Sequence, residues 1–413
     1  MPTLTRRAAV KAAAGTIIMP LAAPALRAQG PAIRIGLVQP MSGPLSAYGQ
    51  ETQPVVEMVA ANINAGGGIR SLGGARLEIV LADNGGSPAR AANEARRLVT
   101  QEKVSILAGA IITHEALAVG PALDELKVPM ISFVSGTSRS PYLFSFGLPY
   151  DRGYAETMVT FLDALRKDHG ARAQRIVTAS SNYEAGQQIT GFLTAKLKAR
   201  GFDLVGDVPL DTKAQDLGAA MLKIRSLRPD AVVGLQTQRE LLLLQRARYD
   251  LQYFDSIFIS NLGVSDPSVW TDLGPEIGAR VLPRNTFGLA LYAPSLAIAP
   301  LTAIATQAKE LPRLKHGLGQ FSIFAAQAML VIKEALEQAV SIDPQKLTET
   351  LGRLELPFGH PAMILPRAGG VAFADDRLTR DASTLVVQWD ADRTLQVVHP
   401  QQFATRKPAV AGR

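Results

Sequence analysis

From Ile33 onward, short apolar runs alternate with longer stretches in which apolar residues recur every three or four positions. That alternation predicts βα units and a mostly parallel sheet. Ile33 to Val38 reads as the first strand, followed by a helix from about Tyr48 to Asn64 with Val55, Val56, Met58, Val59 and Ile63 on one face. Ser46 is available to cap that helix, and Pro54 inside it is expected to kink it or delay its start. Leu77, Ile79 and Leu81 alternate as a strand; Ser87 then caps, and Pro88 opens, a helix running to about Glu102. Strand Val104 to Leu107, helix Glu115 to Leu126 and strand Val128 to Phe133 complete a four-stranded array.

A second array begins with helix Tyr154 to Leu165 and continues through strands at Ile176 to Ala179, Leu204 to Val208, Ala231 to Leu235 and Ser256 to Ser260, with helices between them. After Asn285 come two helical stretches, Leu296 to Lys309 and Phe321 to Val340, and then strands at Val371 to Phe373, Leu385 to Trp389 and Leu395 to Val398. The segment Phe146 to Asp151 separates the arrays, and its Gly147, Pro149 and Asp151 are hinge chemistry. Two lobes joined there enclose a cleft. Ligands of open parallel sheets bind beyond the carboxyl ends of the strands, so the loops after Val38, Leu107, Phe133, Ala179, Leu235 and Ser260 are the candidate site.

The amino terminus lies outside this pattern. Arg6 and Arg7 precede the apolar, small-residue run Ala12 to Leu26, with no acid before Glu51. Residues 1–28 therefore read as a cleaved export signal, with cleavage after Ala25 or Ala28. The arginine pair resembles the twin-arginine type, and an ordinary secretory route is the alternative. The formal charge of the whole chain is +7; loss of Arg6, Arg7, Lys11 and Arg27 with the leader lowers it to +3. This mild charge, without a basic stripe, argues against nucleic acid as a partner. There are no cysteines, which excludes disulfides and thiol catalysis. No later stretch is long and apolar enough for a transmembrane helix. The length, 413 residues, favours two domains over one.

Enzymatic signals are poor. Gly66 to Gly74 is glycine-rich but follows a helix and precedes a strand, the reverse of a phosphate-cradling loop. His114-Glu115 starts a zinc-like pattern, but Ala118 stands where the second histidine is required. No serine elbow accompanies the scattered histidines. Asp83 and Asp151 are better suited to capping and hinge roles than to an acid pair. Neither a metal nor a cofactor is expected.

An ordered set of segments runs through the chain: Ile33 to Val38; Ser42-Gly43-Pro44-Leu45-Ser46-Ala47-Tyr48-Gly49; Ile63-Asn64-Ala65-Gly66-Gly67-Gly68-Ile69; Asp83; Gly109 with Ala118-Val119-Gly120-Pro121; Val128-Pro129-Met130-Ile131-Ser132; Tyr183 with Gly186; and Arg228-Pro229-Asp230-Ala231-Val232-Val233. Together they resemble the leucine/isoleucine/valine-binding protein family over nearly the whole mature chain. The resemblance implies an α/β, two-lobed clamshell of periplasmic-binding-protein type I, with parallel-type sheets flanked by helices and three hinge crossovers. It places residues 32–148 plus 286–368 in one lobe and 149–285 plus 369–413 in the other.

Ser135, Gly136 and Thr137 follow a strand and offer hydroxyls and close backbone amides to a carboxylate or amide oxygen. The family places ligand-carboxylate contacts there and in the loop after the third strand, here Ile111, Ile112 and Thr113. Tyr48 and Tyr183 would face the cleft from opposite lobes, and the loops after Leu235 and Ser260 add Gln236 and Leu262. Amino-acid-binding members carry an acid in the last of these loops, where this chain reads Ser260-Asn261-Leu262-Gly263-Val264. Because a buried ammonium without a countercharge is costly, either Asp266 reaches in or the ligand lacks an amino group.

The expected function is an extracytoplasmic, periplasmic and monomeric substrate-binding protein of an ABC importer. It captures a small amino-acid-like, amide or carboxylate solute by hinge closure and docks on permease and ATPase subunits. A ligand sensor of the same fold feeding a signalling partner is the alternative; an enzyme is not expected.

Overall fold

The computed structural model describes residues 31–134, 140–314 and 317–410, except the side chains of Leu262 and Gln320. The candidate leader and the candidate ligand residues Ser135, Gly136 and Thr137 lie outside the described residues. The first array comprises β1 (Ile33–Gln39), α1 (Ser46–Ala65), β2 (Leu77–Asp83), α2 (Pro88–Thr100), β3 (Ile106–Gly109), α3 (Thr113–Leu126), β4 (Met130–Ser132) and β5 (Leu143–Ser145). Its strands form one wholly parallel sheet in the order β2-β1-β3-β4-β5. β5 is a fifth strand, one more than the apolar pattern predicts.

The second array runs α4 (Glu156–Asp168), β6 (Arg175–Thr178), α5 (Glu184–Ala199), β7 (Asp203–Asp207), α6 (Gly218–Ser226), β8 (Ala231–Val233), α7 (Gln238–Asp250), β9 (Ile257–Ser260), α8 (Val269–Leu273), α9 (Pro275–Val281) and β10 (Thr286–Ala290). The chain then adds α10 (Ala299–Ala308), α11 (Gln320–Ala339), α12 (Pro344–Arg353), β11 (Glu355–Leu356), β12 (Val371–Ala372), β13 (Leu385–Trp389) and β14 (Leu395–His399). The second sheet has seven strands in the order β14-β13-β10-β9-β8-β6-β7, and β13 and β14 make an antiparallel edge. Helices α10 to α12 return to the first lobe, where α11 buries Ile323, Ala326, Met329 and Ile332 with Val55, Val59, Ile106 and Ile131 in one core.

Two expected lobe boundaries shift. Residues 286–290 pair with β9 and β13 in the second sheet, so the second crossover follows Ala290 instead of preceding Thr286. Val371 and Phe373 pack in the first core, so the return crossover follows Phe373 instead of starting at residue 369. Helix α1 begins at Ser46 itself. Leu45 precedes it without a side-chain cap, and the helix continues through Pro54 to Ala65. Ser87 does cap α2, its hydroxyl accepting from Arg90 N at 3.4 Å.

The sequence landmarks hold strand ends together. Asn64 at the end of α1 accepts from Leu77 N at 2.7 Å and donates to Leu77 O at 2.9 Å, fixing the start of β2. Asp230 accepts from Gln174 N at 2.9 Å and Arg175 N at 2.8 Å, joining the first ends of β6 and β8. Gly109 has φ +113°, and a Cβ there would lie 2.1 Å from Val38 O, so only glycine lets β3 pass so close to β1. At Gly186 a Cβ would lie 1.9 Å from Ser181 O, so glycine is what allows α5 to start against the loop after β6.

Candidate functional site

The carboxyl ends of the two parallel sheets carry the side chains that meet between the lobes. Tyr48, in the first turn of α1, is 39% exposed and stands edge-on to Phe321 of α11, ring centroids 5.3 Å apart. Tyr183, the residue before α5 in the second lobe, is 40% exposed. Its phenol is pushed up to about 12 by burial and by Tyr150, Glu240 and Tyr48. Tyr48 and Tyr183 thus stand at strand-end positions of different arrays.

Thr113 opens α3, and its side chain acts on the Tyr150 phenol, in the helical turn that leads into α4, against the rise that burial gives it. Tyr150 and Tyr154 lie 5.9 Å apart between ring centroids, and Tyr154 acts electrostatically with both Tyr150 and Tyr183. Four tyrosines therefore converge where the lobes meet. Ile112 instead packs its half-buried side chain on the first core, and its carbonyl accepts from Glu115 N at 3.0 Å and from Ala116 N at 3.1 Å.

Gln236 departs from its expected role. It is buried, its amide nitrogen donates to Ala179 O, its amide oxygen accepts from Ser260 Oγ and its backbone nitrogen donates to Asn261 Oδ1 at 3.2 Å. The side chain ties the ends of β6, β8 and β9, and each of its two polar atoms already has a protein partner. Leu262 begins a single helical turn, Leu262–Ser265, in the loop after β9.

Three acids enter the picture. Glu51 lies three residues after Tyr48 on the same face of α1. Its carboxyl is pushed up by burial, and Asp266 of the second lobe pushes it further. Ser322 Oγ donates to Glu51 Oε1 at 2.7 Å. Glu240 completes a capping box on α7 with Thr237; its Oε2 accepts from Thr237 N at 2.9 Å and from the Ser181 hydroxyl, while its buried Oε1 has no partner among the described residues. Asp266 ends the loop after β9, and its Oδ1 accepts from Ser268 N at 2.8 Å. Asp151 and Asp83 take structural positions. Burial opposes ionisation of Asp83, but hydrogen bonds from Ser42 Oγ, Met41 N, Gly85 N and Ser42 N prevail and hold it down at about 2.

Sequence reasoning did not single out Glu51, Tyr150, Tyr154, Phe321 or Glu240. The Tyr48-x-x-Glu51 spacing and the Thr237-x-x-Glu240 capping box were signals for two of them. Among the described residues no three His, Asp or Glu side chains are grouped to hold a metal.

Two α/β lobes, each with a sheet whose carboxyl end faces the other, define the solute-binding clamshell class. The periplasmic binding protein family model matches residues 32–393, and the chain belongs to that family of solute binders, which are not enzymes. A Leu/Ile/Val-binding protein homolog of Brucella suis is 24% identical over 387 residues, covering 90% of this chain and 92% of its own. The branched-chain amino-acid transporter substrate-binding protein LivJ of Streptococcus pneumoniae, solved with isoleucine, superposes with a TM-score of 0.70 at 21% identity, over 89% of this chain and 100% of that one. A solute-binding protein of R. palustris, solved with 4-hydroxybenzoate, superposes with a TM-score of 0.66 at 20% identity, over 90% of this chain and 94% of that one.

Proposed function

We propose that this protein is the exported substrate-binding component of an ABC importer. It captures a small amino-acid-like, amide or carboxylate solute between residues 31–148 with 291–373 and residues 149–290 with 374–410, and presents the closed form to permease and ATPase subunits. The observation that carries this reading is the pair of α/β arrays whose half-exposed Tyr48 and Tyr183, one on each, stand at the strand ends where open α/β sheets take their ligands. Closure over a solute brings these walls together, and a solute that binds both lobes shifts the population toward the closed form. The leader, cleaved after Ala25 or Ala28, delivers the mature chain to the periplasm, where it acts as a monomer.

Relatives differ in what they hold: one structural neighbour carries isoleucine and another 4-hydroxybenzoate. The fold therefore accommodates both an amino acid and an amine-free aromatic acid. A thermal-shift screen of the mature protein against amino acids, amides and aliphatic and aromatic acids tests the reading. A true solute raises the folded state's stability by about 2.7 kcal/mol at a hundredfold excess over its dissociation constant, and is recovered chemically unchanged. Stabilisation by no member of the panel, or consumption of the compound, contradicts it.

A further inference from the structure

Strand order places the hinge between the solute side of each lobe and an outer edge. In the second sheet the candidate loops follow β6, β8 and β9, the second and third crossovers leave β10 and enter β13, and β14 lies beyond them. The first crossover leads to the same strands, because Phe161 of α4 stands edge-on to Phe287 of β10 with ring centroids 4.9 Å apart. β14 returns to the hinge end of the sheet, where His399 pairs with Val386 and Val386 with Leu289. The first lobe repeats the order. Its candidate loops follow β1, β3 and β4, whereas β5 feeds the first crossover, and Ser145 at the end of β5 bridges Leu378 of the third. The β11–β12 ribbon is anchored on that hinge strand through Phe373, whose ring is edge-on to Phe144 at 5.0 Å and to Phe146 at 5.5 Å.

Each outer edge carries an aromatic ring, and the two rings meet. Phe358 follows β11 in a tight turn, in which His360 N donates to Pro357 O at 3.0 Å and Gly359 takes φ +94°, a corner angle suited to glycine. Phe403 ends the helical turn Gln401–Phe403 after β14 and packs on the second-lobe core that contains Trp389, Leu395 and Val397. The ring centroids of Phe358 and Phe403 are 5.3 Å apart, at an interplanar angle of 68°. Each ring is fixed to its own lobe. The chain beyond Phe403 is tied back to the second sheet, Thr405 N donating to Val397 O at 2.9 Å and Ala409 N to Gln388 Oε1 at 2.8 Å. Phe358 stays 44% exposed even with the contact made, so it adds little to the packing of the first lobe.

A rotation about the crossovers that brings the strand-end loops together parts the edges on the far side of the axis. We propose that Phe358 and Phe403 form a latch behind the hinge that holds the cleft open, and that a solute closes the lobes by breaking it. The latch takes its purpose from the solute-capture reading and its existence from the ring contact. An edge-on aromatic pair shifts an equilibrium about twofold to tenfold beyond its buried area. Apparent affinity scales with the population of the competent form, so losing the latch tightens solute binding by that factor without touching a solute contact.

The chain has no cysteine, so paired spin labels can be placed on Leu117→Cys of α3 and Phe192→Cys of α5, exposed positions on helices that begin at cleft loops of opposite lobes. Pulsed electron resonance of the mature protein then reads the distances between the lobes. Without solute, Phe358→Ala and Phe403→Ala each raise the ratio of short to long distances about twofold to tenfold. The double variant shifts no further than the larger single, because each ring acts through the other. Phe358→Tyr, which keeps the ring, matches the unmutated protein. If Phe403→Ala fails to fold by circular dichroism, Phe358→Ala and its tyrosine rescue carry the test, since that ring lies at the surface. An unchanged distribution in Phe358→Ala, a shift toward longer distances, or additive shifts from the two single variants overturns the proposal. L-leucine and 4-hydroxybenzoate, added as probes, separate the latch from solute capture. Shortening by either probe, with Phe358→Ala indistinguishable from the unmutated protein in its absence, overturns the latch and leaves solute capture standing. A shift in Phe358→Ala with no response to either probe supports the latch and counts against capture of these solutes.

Discussion

Arg152 and Asp376 form a forked ion pair, with Arg152 Nη2 3.0 Å from Asp376 Oδ2 and Nη1 3.1 Å from the same oxygen. Arg152 lies just after the first crossover and Asp376 in the third, between the first-core Phe373 and β13. Their bond therefore ties two hinge strands directly. Both side chains keep substantial contact with solvent, so Arg152→Ala lowers unfolding stability by less than about 1 kcal/mol. It loosens the hinge, and the apparent solute affinity changes by more than the stability does. Denaturant unfolding and calorimetry on the same variant check this; a stability loss with unaltered affinity would place the pair outside the hinge's working parts.

Tyr183→Ala and Tyr48→Ala remove side chains that are substantially exposed, so their melting temperatures without solute stay within a few degrees of wild type. Solute binding weakens by about 1–2 kcal/mol each, the scale of an aromatic wall lost from a binding site. Thermal shift with and without a saturating solute separates the two effects. Equal losses in both conditions would make these residues structural.

Glu115 is fully buried in the first turn of α3, two residues after Thr113, and neither carboxylate oxygen has a partner within bonding distance among the described residues. Burial pushes its carboxyl up to about 7, against weaker opposing effects of Asn84 and the Ile112 backbone. The folded state thus holds a proton that the unfolded chain releases near pH 4.5. Stability falls as pH rises from that value, and the full cost, about 3 kcal/mol at most, is present above pH 7. Glu115→Gln removes this slope and stabilises the protein above pH 7, with little effect near pH 4.5. Urea unfolding at about pH 5 and about pH 8 reads the difference; parallel pH dependence in variant and wild type would show that Glu115 does not carry it.

Gly109→Ala forces a side chain toward Val38 O at a backbone angle that suits glycine. The expected loss is about 2–4 kcal/mol, measured by denaturant unfolding, and a neutral result would mean that β1 and β3 separate easily. Gly191, where a Cβ would meet nothing within 4 Å, is the control: Gly191→Ala in the interior of α5 is neutral or slightly stabilising.

Much of this architecture was written in local patterns. The βα alternation located nearly every strand of both parallel arrays, and Ser87-Pro88 marked the start of α2 because cap and first-turn chemistry are local. β10 was not legible: Thr286-Phe287-Gly288-Leu289-Ala290 is a short apolar run, too brief for periodicity to separate it from the Leu- and Ala-rich helix after it. The second crossover's boundary inherited that error. Within the site, Tyr48 and Tyr183 were visible from their places at strand-end loops, and the structure brings them into mutual electrostatic range. Gln236 stood at an equally suitable place, but its fate depends on Ala179 and Ser260 in neighbouring strands, which only tertiary pairing brings to it. Glu51 was hidden for the same reason, since its hydrogen-bond partner Ser322 lies in α11, far along the chain.

Small-angle scattering of the mature protein with and without the tightest-binding member of the solute panel tests the central claim, capture by closure of the two lobes, most directly. A saturating solute reduces the radius of gyration, and Tyr183→Ala requires more solute for the same compaction. A solute that binds tightly at unchanged radius of gyration, with affinity indifferent to Tyr48 and Tyr183, would contradict it.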